Sequence, residues 1–267
     1  MQLIELKGSI RDVLPHIFRR PVLSVSPSDS LLQAGTFLAI GPQIYVDGLV
    51  VLEGKKPVGR IGGQHLIKFM LENQEAWLHS NSSQIMNPNS FEVDMSDSIS
   101  KALEIFGNTK FAFVPIVDEG IVTTSLSIRD MLRLAAGKVC NPIEDLSSKL
   151  VSINSGTTIE KALQLMIEKG IRNLAVRNDH GQIHIINDRK ILEFLLSYEG
   201  RRLMASRLGL DSVSVELLEM VYPKYVKASL PGGSAAELLS DVSTPCLLWD
   251  DHIVTPWDIV MKGIYNE

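Results

Sequence analysis

Residues 111–134 read FAFVPIVDEGIVTTSLSIRDMLRL, and the pattern in this stretch decides the fold. Two apolar runs are separated by Asp118, Glu119 and Gly120, a composition typical of a hairpin turn. Polar residues then open an apolar pattern with helical spacing. The stretch therefore predicts a β-hairpin that is followed by a helix.

The same order of elements occurs three more times along the chain. The matching stretches are YVDGLVVLEGKKPVGRIGGQHLIKFM (45–70), NLAVRNDHGQIHIINDRKILEFLL (173–196) and CLLWDDHIVTPWDIVMKGI (246–264). Upstream of each hairpin, a β-like start runs into a helix cap, in VLSVSPSDSLLQA (22–34), FEVDMSDSISKAL (91–103), LVSINSGTTIEKAL (150–163) and VKASLPGGSAAELL (226–239). The chain therefore predicts four β-α-β-β-α repeats.

The spacing within the repeats sets their register. From the presumed cap of the first helix to the start of the second helix there are 35, 32, 32 and 24 residues, counted from Ser30 to His65, Ser98 to Asp130, Thr158 to Lys190 and Ser234 to Asp258. The short last spacing predicts that a helix turn or a strand is missing from the fourth repeat. Residues 201–223 predict a longer helical connection into that repeat.

Composition and charge limit the class of protein. A chain of 267 residues with 45% hydrophobic and 21% charged residues is ordinary for a globular protein of about two domains. The net charge of -5 and the absence of a basic run give no electrostatic footprint for nucleic acid or for an anionic membrane. No apolar stretch approaches the roughly 20 residues that span a bilayer, and we expect a cytoplasmic protein.

Residues that could carry catalysis or bind a metal do not form a recognisable motif. The six histidines are dispersed, and Cys140 and Cys246 have no metal-like spacing and are expected to be buried. The stretch GRIGG (59–63) lacks the full pattern of a phosphate-binding loop. We therefore expect neither an enzyme nor a metal site, and no required cofactor.

The repeat layout resembles the cystathionine β-synthase (CBS) domain. The resemblance extends from about Arg20 over nearly the whole chain and includes the family's signature, in which a Gly and apolar residues precede Ser/Thr-x-x-Asp. It implies an α+β fold with four CBS repeats paired into two Bateman modules, which in this family commonly pack into a disc. The expected modules are 1–137, with repeats at about 18–74 and 84–135, and 138–267, with repeats at about 138–198 and 203–265.

The four copies of the signature differ at their fourth position. They are Gly62–His65, Ser127–Asp130, Asn187–Lys190 and Thr255–Asp258. All four first residues are acceptable helix N-caps. In the family, the Asp typically accepts hydrogen bonds from the ribose hydroxyls of an adenosine ligand, a task that suits a carboxylate with two acceptor oxygens. The resemblance thus implies ligand binding by Ser127, Asp130, Thr255 and Asp258, and simple helix capping is the alternative.

By the same resemblance, further residues would line the clefts between repeats, namely Val93, Thr109, Phe111, Ser125 and Ile253. Arg172 would contact a phosphate, because a guanidinium can make two parallel hydrogen bonds to one. Phe111 could instead pack in the core, and Arg172 could be a solvated surface residue. His65 and Lys190, which replace the carboxylate, are possible phosphate contacts, and Arg129 is expected to face outward or to pair locally.

The predicted function is that of a stand-alone regulatory protein. An adenosine-containing ligand such as AMP, ADP or ATP would bind in the clefts as a regulatory ligand, and a partner protein would respond to its occupancy. The chain could also form a homodimer. Two alternatives remain open: a ligand-free CBS scaffold for protein contacts, and a nucleic-acid binder, which the acidic balance disfavours.

Overall fold

The part of the chain that the structure describes forms four small sheets surrounded by helices. The computed structural model describes residues 6–41, 46–88, 92–206 and 209–265. The strands are β1 (Ser24–Val25), β2 (Leu49–Glu53), β3 (Lys56–Ile61), β4 (Val93–Asp94), β5 (Phe113–Asp118), β6 (Ile121–Ser127), β7 (Ser148–Lys149), β8 (Ser152–Asn154), β9 (Asn173–Arg177), β10 (Ile183–Asn187), β11 (Lys224–Tyr225), β12 (Leu247–Trp249) and β13 (His252–Val254).

The helices connect and cover these sheets. The α-helices are α1 (Ile10–Val13), α2 (Leu31–Ile40), α3 (Gly63–Asn73), α4 (Ile99–Thr109), α5 (Leu132–Ala135), α6 (Ile143–Leu146), α7 (Ile159–Lys169), α8 (Asp188–Leu196), α9 (Tyr198–Ala205), α10 (Gly232–Leu239) and α11 (Pro256–Val260). The 3-10 helices span Pro15–Arg19, Gln74–His79, Ser82–Gln84, Leu210–Ser212 and Val215–Leu217, and a π-helical turn spans Met261–Tyr265.

Each sheet repeats one topology, which confirms the predicted β-α-β-β-α unit. The first strand of a unit runs parallel to the second, and the second and third form an antiparallel hairpin, in the sets β1-β2-β3, β4-β5-β6, β8-β9-β10 and β11-β12-β13. A parallel pair needs a crossover connection, and α2, α4, α7 and α10 supply it. In the last sheet, β7 adds a fourth strand antiparallel to β13.

The hairpin strands are buried on both faces. In β2, Leu49 and Val51 belong to a cluster that includes the neighbouring helices, while Val50 between them packs with Phe111 and Phe113 of the second repeat. Successive residues of a strand point to opposite faces, so each sheet covers helices on one side and another sheet on the other. This double burial explains why the hairpins read as continuous apolar runs.

The sheets pair within the first half and within the second half of the chain. In the first half the contact is made by Val50, Phe111 and Phe113. In the second half the packed residues are Leu150, Ala175, Ile185, Cys246, Leu248 and Ile253. Repeat one therefore packs on repeat two, and repeat three packs on repeat four.

Two larger apolar clusters join these sheet pairs through their helices. One combines α2 and α3 of repeat one with α7 and α8 of repeat three, and the other combines α4 and α5 of repeat two with α10 and α11 of repeat four. Leu31, Leu66 and Ile191 are fully buried in the first cluster. Because burying one such side chain contributes about 1.5–3 kcal/mol, these helix contacts are a major source of stability.

Three of the four predicted N-caps of the crossover helices are confirmed. The side chains of Ser30, Ser98 and Thr158 each accept a hydrogen bond from a backbone N–H in the first turn. The prediction of Ser234 is wrong, because α10 begins at Gly232 after Pro231. A Cβ on Gly232 would lie 2.7 Å from side-chain atoms of both Leu146 and Val139, so only glycine allows this close approach. Propensity alone does not reveal such a packing constraint.

The fourth repeat is shortened without losing a strand. Helix α10 has 8 residues, whereas α4 and α7 have 11 each, so about one helical turn is missing. The connection before this repeat differs from the predicted long helix, since α9 is followed by the two short 3-10 helices Leu210–Ser212 and Val215–Leu217.

The contact between the first two sheets generates a test at Gly48. A Cβ at this position would lie 1.9 Å from a ring atom of Phe113. We expect Gly48→Ala to lower the free energy of unfolding by about 1–3 kcal/mol, the usual cost of overpacking. Urea denaturation followed by circular dichroism measures this change.

Gly156→Ala is the matched control, because a Cβ there meets no atom within 4 Å and the residue does not have a positive φ. We expect this variant to stay within about 0.5 kcal/mol of the wild type. Equal effects of the two substitutions would contradict the described packing of Phe113.

Candidate functional site

The four signature copies are found at the starts of second helices or turns, but their fourth residues differ in environment. Asp130 and Asp258 are buried, with 5% and 6% of their surface exposed. His65 is exposed and Lys190 is half-buried. The two carboxylates therefore occupy equivalent, enclosed positions, whereas the two basic residues lie nearer to the surface.

Asp258 closes a capping box at the start of α11. Its Oδ2 accepts hydrogen bonds from the Thr255 backbone N–H at 3.0 Å and from the Thr255 hydroxyl at 2.6 Å. Its Oδ1 accepts one from the Ser148 hydroxyl at 2.9 Å and faces the Lys262 ammonium at 2.8 Å. One oxygen therefore fixes the helix start, and the other faces the strand that leads into repeat three.

Asp130 holds the chain after β6 in the same way. Its Oδ2 accepts hydrogen bonds from the Ser127 N–H at 2.8 Å and from the Ser127 hydroxyl at 3.0 Å. The turn that follows is not yet α-helical, and α5 begins only at Leu132. The expectation that Ser127 directly caps an α-helix is therefore wrong, although its side chain does stabilise the turn.

Two basic residues from the start of the chain approach the Asp130 carboxylate. Arg20 Nη2 lies 2.7 Å from Oδ2 and also donates to the Ser125 carbonyl at 3.0 Å, and His16 Nε2 lies 3.7 Å from Oδ1. Burial alone would raise the pKa of Asp130, but the hydrogen bond from His16 and the charge of Arg20 outweigh it and lower the pKa below its usual range. Asp130 is thus held as a charged carboxylate.

Arg20 and Ser148 occupy equivalent places in the two halves of the chain. Arg20 lies four residues before β1, and Ser148 lies four residues before β8. The separation from Arg20 to Asp130 is 110 residues, and the separation from Ser148 to Asp258 is also 110. The same position thus holds a cation in the first half and a small neutral hydroxyl in the second.

His65 and Phe111 pack together between the first two repeats. Their ring centroids are 4.8 Å apart at an interplanar angle of 11°, and the guanidinium of Arg60 lies 4.0 Å from the Phe111 centroid. Desolvation and the charges of Arg60 and Lys68 lower the pKa of His65. Phe111 therefore takes part in inter-sheet packing, and a neutral His65 is a weak contact for phosphate.

The cations of repeat three are paired with acidic residues. Arg172 Nε donates to Asp188 Oδ2 at 2.7 Å, and the charge of Asp188 raises the pKa of Arg172. Lys190 Nζ lies 3.0 Å from Glu193 and 2.7 Å from Glu219. Burial would lower the pKa of Lys190, but the hydrogen bonds from Glu219 and Glu193 raise it overall. Any phosphate at these two residues would compete with carboxylates that are already bound.

The remaining residues of the predicted site are not gathered into one cleft. Ser125 lies beside Asp130, because its carbonyl accepts from Arg20, and Ile253 pairs with Ser148 beside Asp258. Val93 is buried in the helix-facing cluster of repeat two. The Thr109 hydroxyl donates to the Ile105 carbonyl of its own helix at 2.7 Å. The structure thus brings Ser125 and Ile253, but neither Val93 nor Thr109, into contact with the signature carboxylates.

Arg129 and Cys140 depart from their expected positions. The Arg129 guanidinium donates to the carbonyls of Leu239 and Asp241, so it links repeat two to the end of α10 and does not pair locally. Cys140 is exposed, whereas Cys246 is buried as expected. Burial and the charge of Asp258 raise the pKa of Cys246 to about 12, so its thiol stays protonated.

Neither of the two cavities found is lined by a signature carboxylate. A groove of about 320 Å³ is lined by Ser155, Val176, Asn178, His184, Glu216, Leu218, Met220 and Tyr222. A cavity of about 20 Å³ lies between repeats one and three and is lined by Leu38, Asp47, Gly63, Arg172, Asp188, Arg189 and Leu192. In the described ranges no cluster of three metal-ligating residues occurs, and no helix there is long and apolar enough to cross a bilayer.

Sequence reasoning missed the groups that neutralise the two carboxylates, namely Arg20, His16, Ser148 and Lys262. A signal for Arg20 and Ser148 was present, since aligning the first strands of repeats one and three places these residues at the same position. Lys262 had a local signal as well, because it follows Asp258 by one helical turn. His16 had no such signal.

Comparisons with known proteins agree with this fold. The CBS domain model matches residues 83–137 and 143–197. The chain is a tandem CBS-domain protein. No curated protein sequence matches it. The CBS repeats outside the two matched segments are recognised from the fold.

Solved structures extend the similarity over all four repeats. A protein of Methanocaldococcus jannaschii, described as a candidate archaeal homologue of γ-AMPK, is 20% identical, with 91% of this chain and 96% of that chain covered and a TM-score of 0.77. An uncharacterized conserved protein of Pyrococcus horikoshii is 15% identical at the same coverage, with a TM-score of 0.55. A CBS domain protein of Pyrobaculum aerophilum, solved with AMP, is 21% identical over 44% of this chain and 88% of that chain, with a TM-score of 0.39.

The charge on Asp130 predicts a pH-dependent stability. Because the folded pKa is lowered, the carboxylate stabilises the fold above the unfolded value of about 3.9, and this contribution is lost as pH falls through the lower folded value. We expect Asp130→Asn to cost about 3–5 kcal/mol at pH 7, since it breaks a buried pair, and the difference from wild type to shrink below pH 3.9. Urea denaturation between pH 3 and 7 measures both.

Glu104→Gln, on the exposed face of α4, is the control and should follow the wild type at every pH. A difference between Asp130→Asn and wild type that stays constant from pH 7 to pH 3 would mean that the ion pair does not contribute.

Proposed function

We propose that this tandem CBS-domain protein is a regulatory protein that binds an adenosine-containing ligand such as AMP, ADP or ATP and relays its occupancy to a partner protein. The observation that supports this function is the enclosed carboxylate of Asp258, which is held by Thr255 and faces Ser148 of the paired repeat. The family resemblance assigns the same role to Asp130 and Ser127.

The Asp258 carboxylate has the chemistry that a ribose requires. Its Oδ2 is fixed by two hydrogen bonds from Thr255, so its Oδ1 is oriented without further cost. The groups around Oδ1 are the Ser148 hydroxyl and the Lys262 ammonium. A vicinal diol would accept from the Ser148 hydroxyl and donate to Oδ1, in hydrogen bonds assisted by the carboxylate charge.

Lys262 is the group that such a ligand would displace. Its side chain is 35% exposed and sits on a flexible four-carbon stem, so the ammonium can leave Oδ1 without being buried elsewhere. It also donates to the carbonyls of Leu146 and Ser147, which lie beside the cleft. Once displaced, the ammonium can meet the phosphate of a nucleotide as a point charge.

The position of the cleft links occupancy to the arrangement of repeats. Ser148 belongs to β7, which enters repeat three, and Asp258 begins the last helix of repeat four. A ligand that replaces the Asp258–Lys262 contact therefore changes the free energy of one arrangement of these repeats relative to another. We propose that a cytoplasmic partner protein, or a second copy of the chain, binds one arrangement preferentially. The proposed modules are residues 1–137 and 138–267.

A second candidate function is a ligand-free scaffold for protein contacts. The observation that favours it is the internal pairing of both carboxylates, Asp130 with Arg20 and Asp258 with Lys262. In a scaffold, these ion pairs would be permanent and would only fix how the repeats meet. The two functions differ in whether an adenosine ligand stabilises the fold.

Thermal unfolding with AMP, ADP, ATP and S-adenosylmethionine separates the two functions. We expect one of these ligands, at about 100 times its dissociation constant, to add about 2.7 kcal/mol to the stability and to raise the melting temperature by several degrees. Asp258→Asn should abolish the shift, because it removes the charged acceptor.

The controls are Glu104→Gln, which should keep the full shift, and Thr255→Ser, which retains the hydroxyl that holds Asp258. If no ligand shifts the wild-type midpoint while Asp258→Asn still melts earlier, the carboxylate only caps α11 and the scaffold is the better function.

A further inference from the structure

We propose that the cleft of repeat two is closed by the start of the chain itself, with Arg20 taking the place in front of Asp130 that a ribose would need. This inference rests on the proposed function, because it concerns which of the two carboxylates is open to an adenosine ligand. It assigns Arg20 as the residue that makes the two clefts different.

The contacts at Asp130 leave little room for another donor. Arg20 binds Oδ2 at 2.7 Å and the Ser125 carbonyl at 3.0 Å, and its side chain is only 14% exposed. Oδ2 also accepts both hydrogen bonds from Ser127, and Oδ1 faces His16. A neutral diol would have to separate a buried guanidinium from a buried carboxylate, which is costly for both charges.

The segment that carries Arg20 is anchored on repeat two. The Ile10 and Arg11 N–H groups donate to the carbonyls of Asp97 and Met95 at 2.9 and 3.0 Å. The Ile17 carbonyl accepts from the buried Thr124 hydroxyl at 2.8 Å. Ile10 and Ile17 are fully buried in the cluster that contains α4 and α5. The segment therefore behaves as part of the wall of the cleft and holds the guanidinium in position.

The second half of the chain shows what the cleft looks like without this cation. At the equivalent position, Ser148 donates to Asp258 across the same 110-residue separation that joins Arg20 to Asp130. A serine hydroxyl is small and can both donate to and accept from a ligand. The only cation on Asp258 is Lys262, whose side chain is 35% exposed, compared with 14% for Arg20. Arginine in place of serine thus distinguishes a closed cleft from one that a ligand can enter.

Exchanging these two residues tests the inference. With AMP as the probe, isothermal titration should give one site per wild-type chain, two sites for Arg20→Ser, and no site for Ser148→Arg. The additional site of Arg20→Ser should disappear in Arg20→Ser/Asp130→Asn, while the site at Asp258 remains. Circular dichroism and melting curves establish that each variant is folded, and Arg20→Gln replaces Arg20→Ser if the latter is not.

The outcomes separate this inference from the proposed function. A folded Arg20 variant that binds no more AMP than the wild type overturns the inference, and so does a wild-type site that Asp130→Asn removes and Asp258→Asn leaves intact. If the wild type binds no AMP but the Arg20 variant binds one equivalent that depends on Asp130, the proposed function at Asp258 fails and the inference stands.

Discussion

The burial of both faces of each hairpin sheet is the constraint on which this fold depends. One face of a sheet covers helices, as Leu49 and Val51 do, and the other meets a second sheet, as Val50 does. A single repeat can satisfy only the first of these contacts, so it has too little core to fold alone. The repeats therefore pair through sheets and the pairs join through helices. The signature residues begin the helices at these junctions, which is why a change at one of them bears on two repeats.

The two carboxylates show that helix capping and ligand binding need not be alternatives. In both halves of the chain, Oδ2 accepts the N–H and hydroxyl of the signature Ser127 or Thr255, and this interaction fixes the local backbone. Oδ1 faces across the cleft to a group from the strand or segment before the paired repeat. The capping interaction therefore orients the second oxygen in advance, and the preorganisation that a binding site needs comes from a local interaction that stabilises the helix start.

The repeat, the hairpins and three of the crossover-helix caps could be predicted from sequence because they depend on local patterns. The identity of the groups around each carboxylate could not, since Arg20 and Asp130 are 110 residues apart and their contact exists only after the sheets have paired. The start of α10 was mispredicted for a related reason. Ser234 is the better cap by propensity, but Gly232 is selected by its close approach to the side chain of Leu146. In each case tertiary packing overrides the local signal.

The difference between the two halves gives the chain a direction. If Arg20 keeps the first pair of repeats closed, that pair is a fixed body, and the two helical clusters attach the second pair to it at repeats three and four. Arg129 adds a polar link from repeat two to the end of α10, within the repeat that carries Asp258. A ligand at Asp258 would then act against a rigid reference, and the rearrangement it favours would fall on the second pair. A protein with four equally responsive clefts would lack such a reference, because each occupied site would shift the frame against which the others are held.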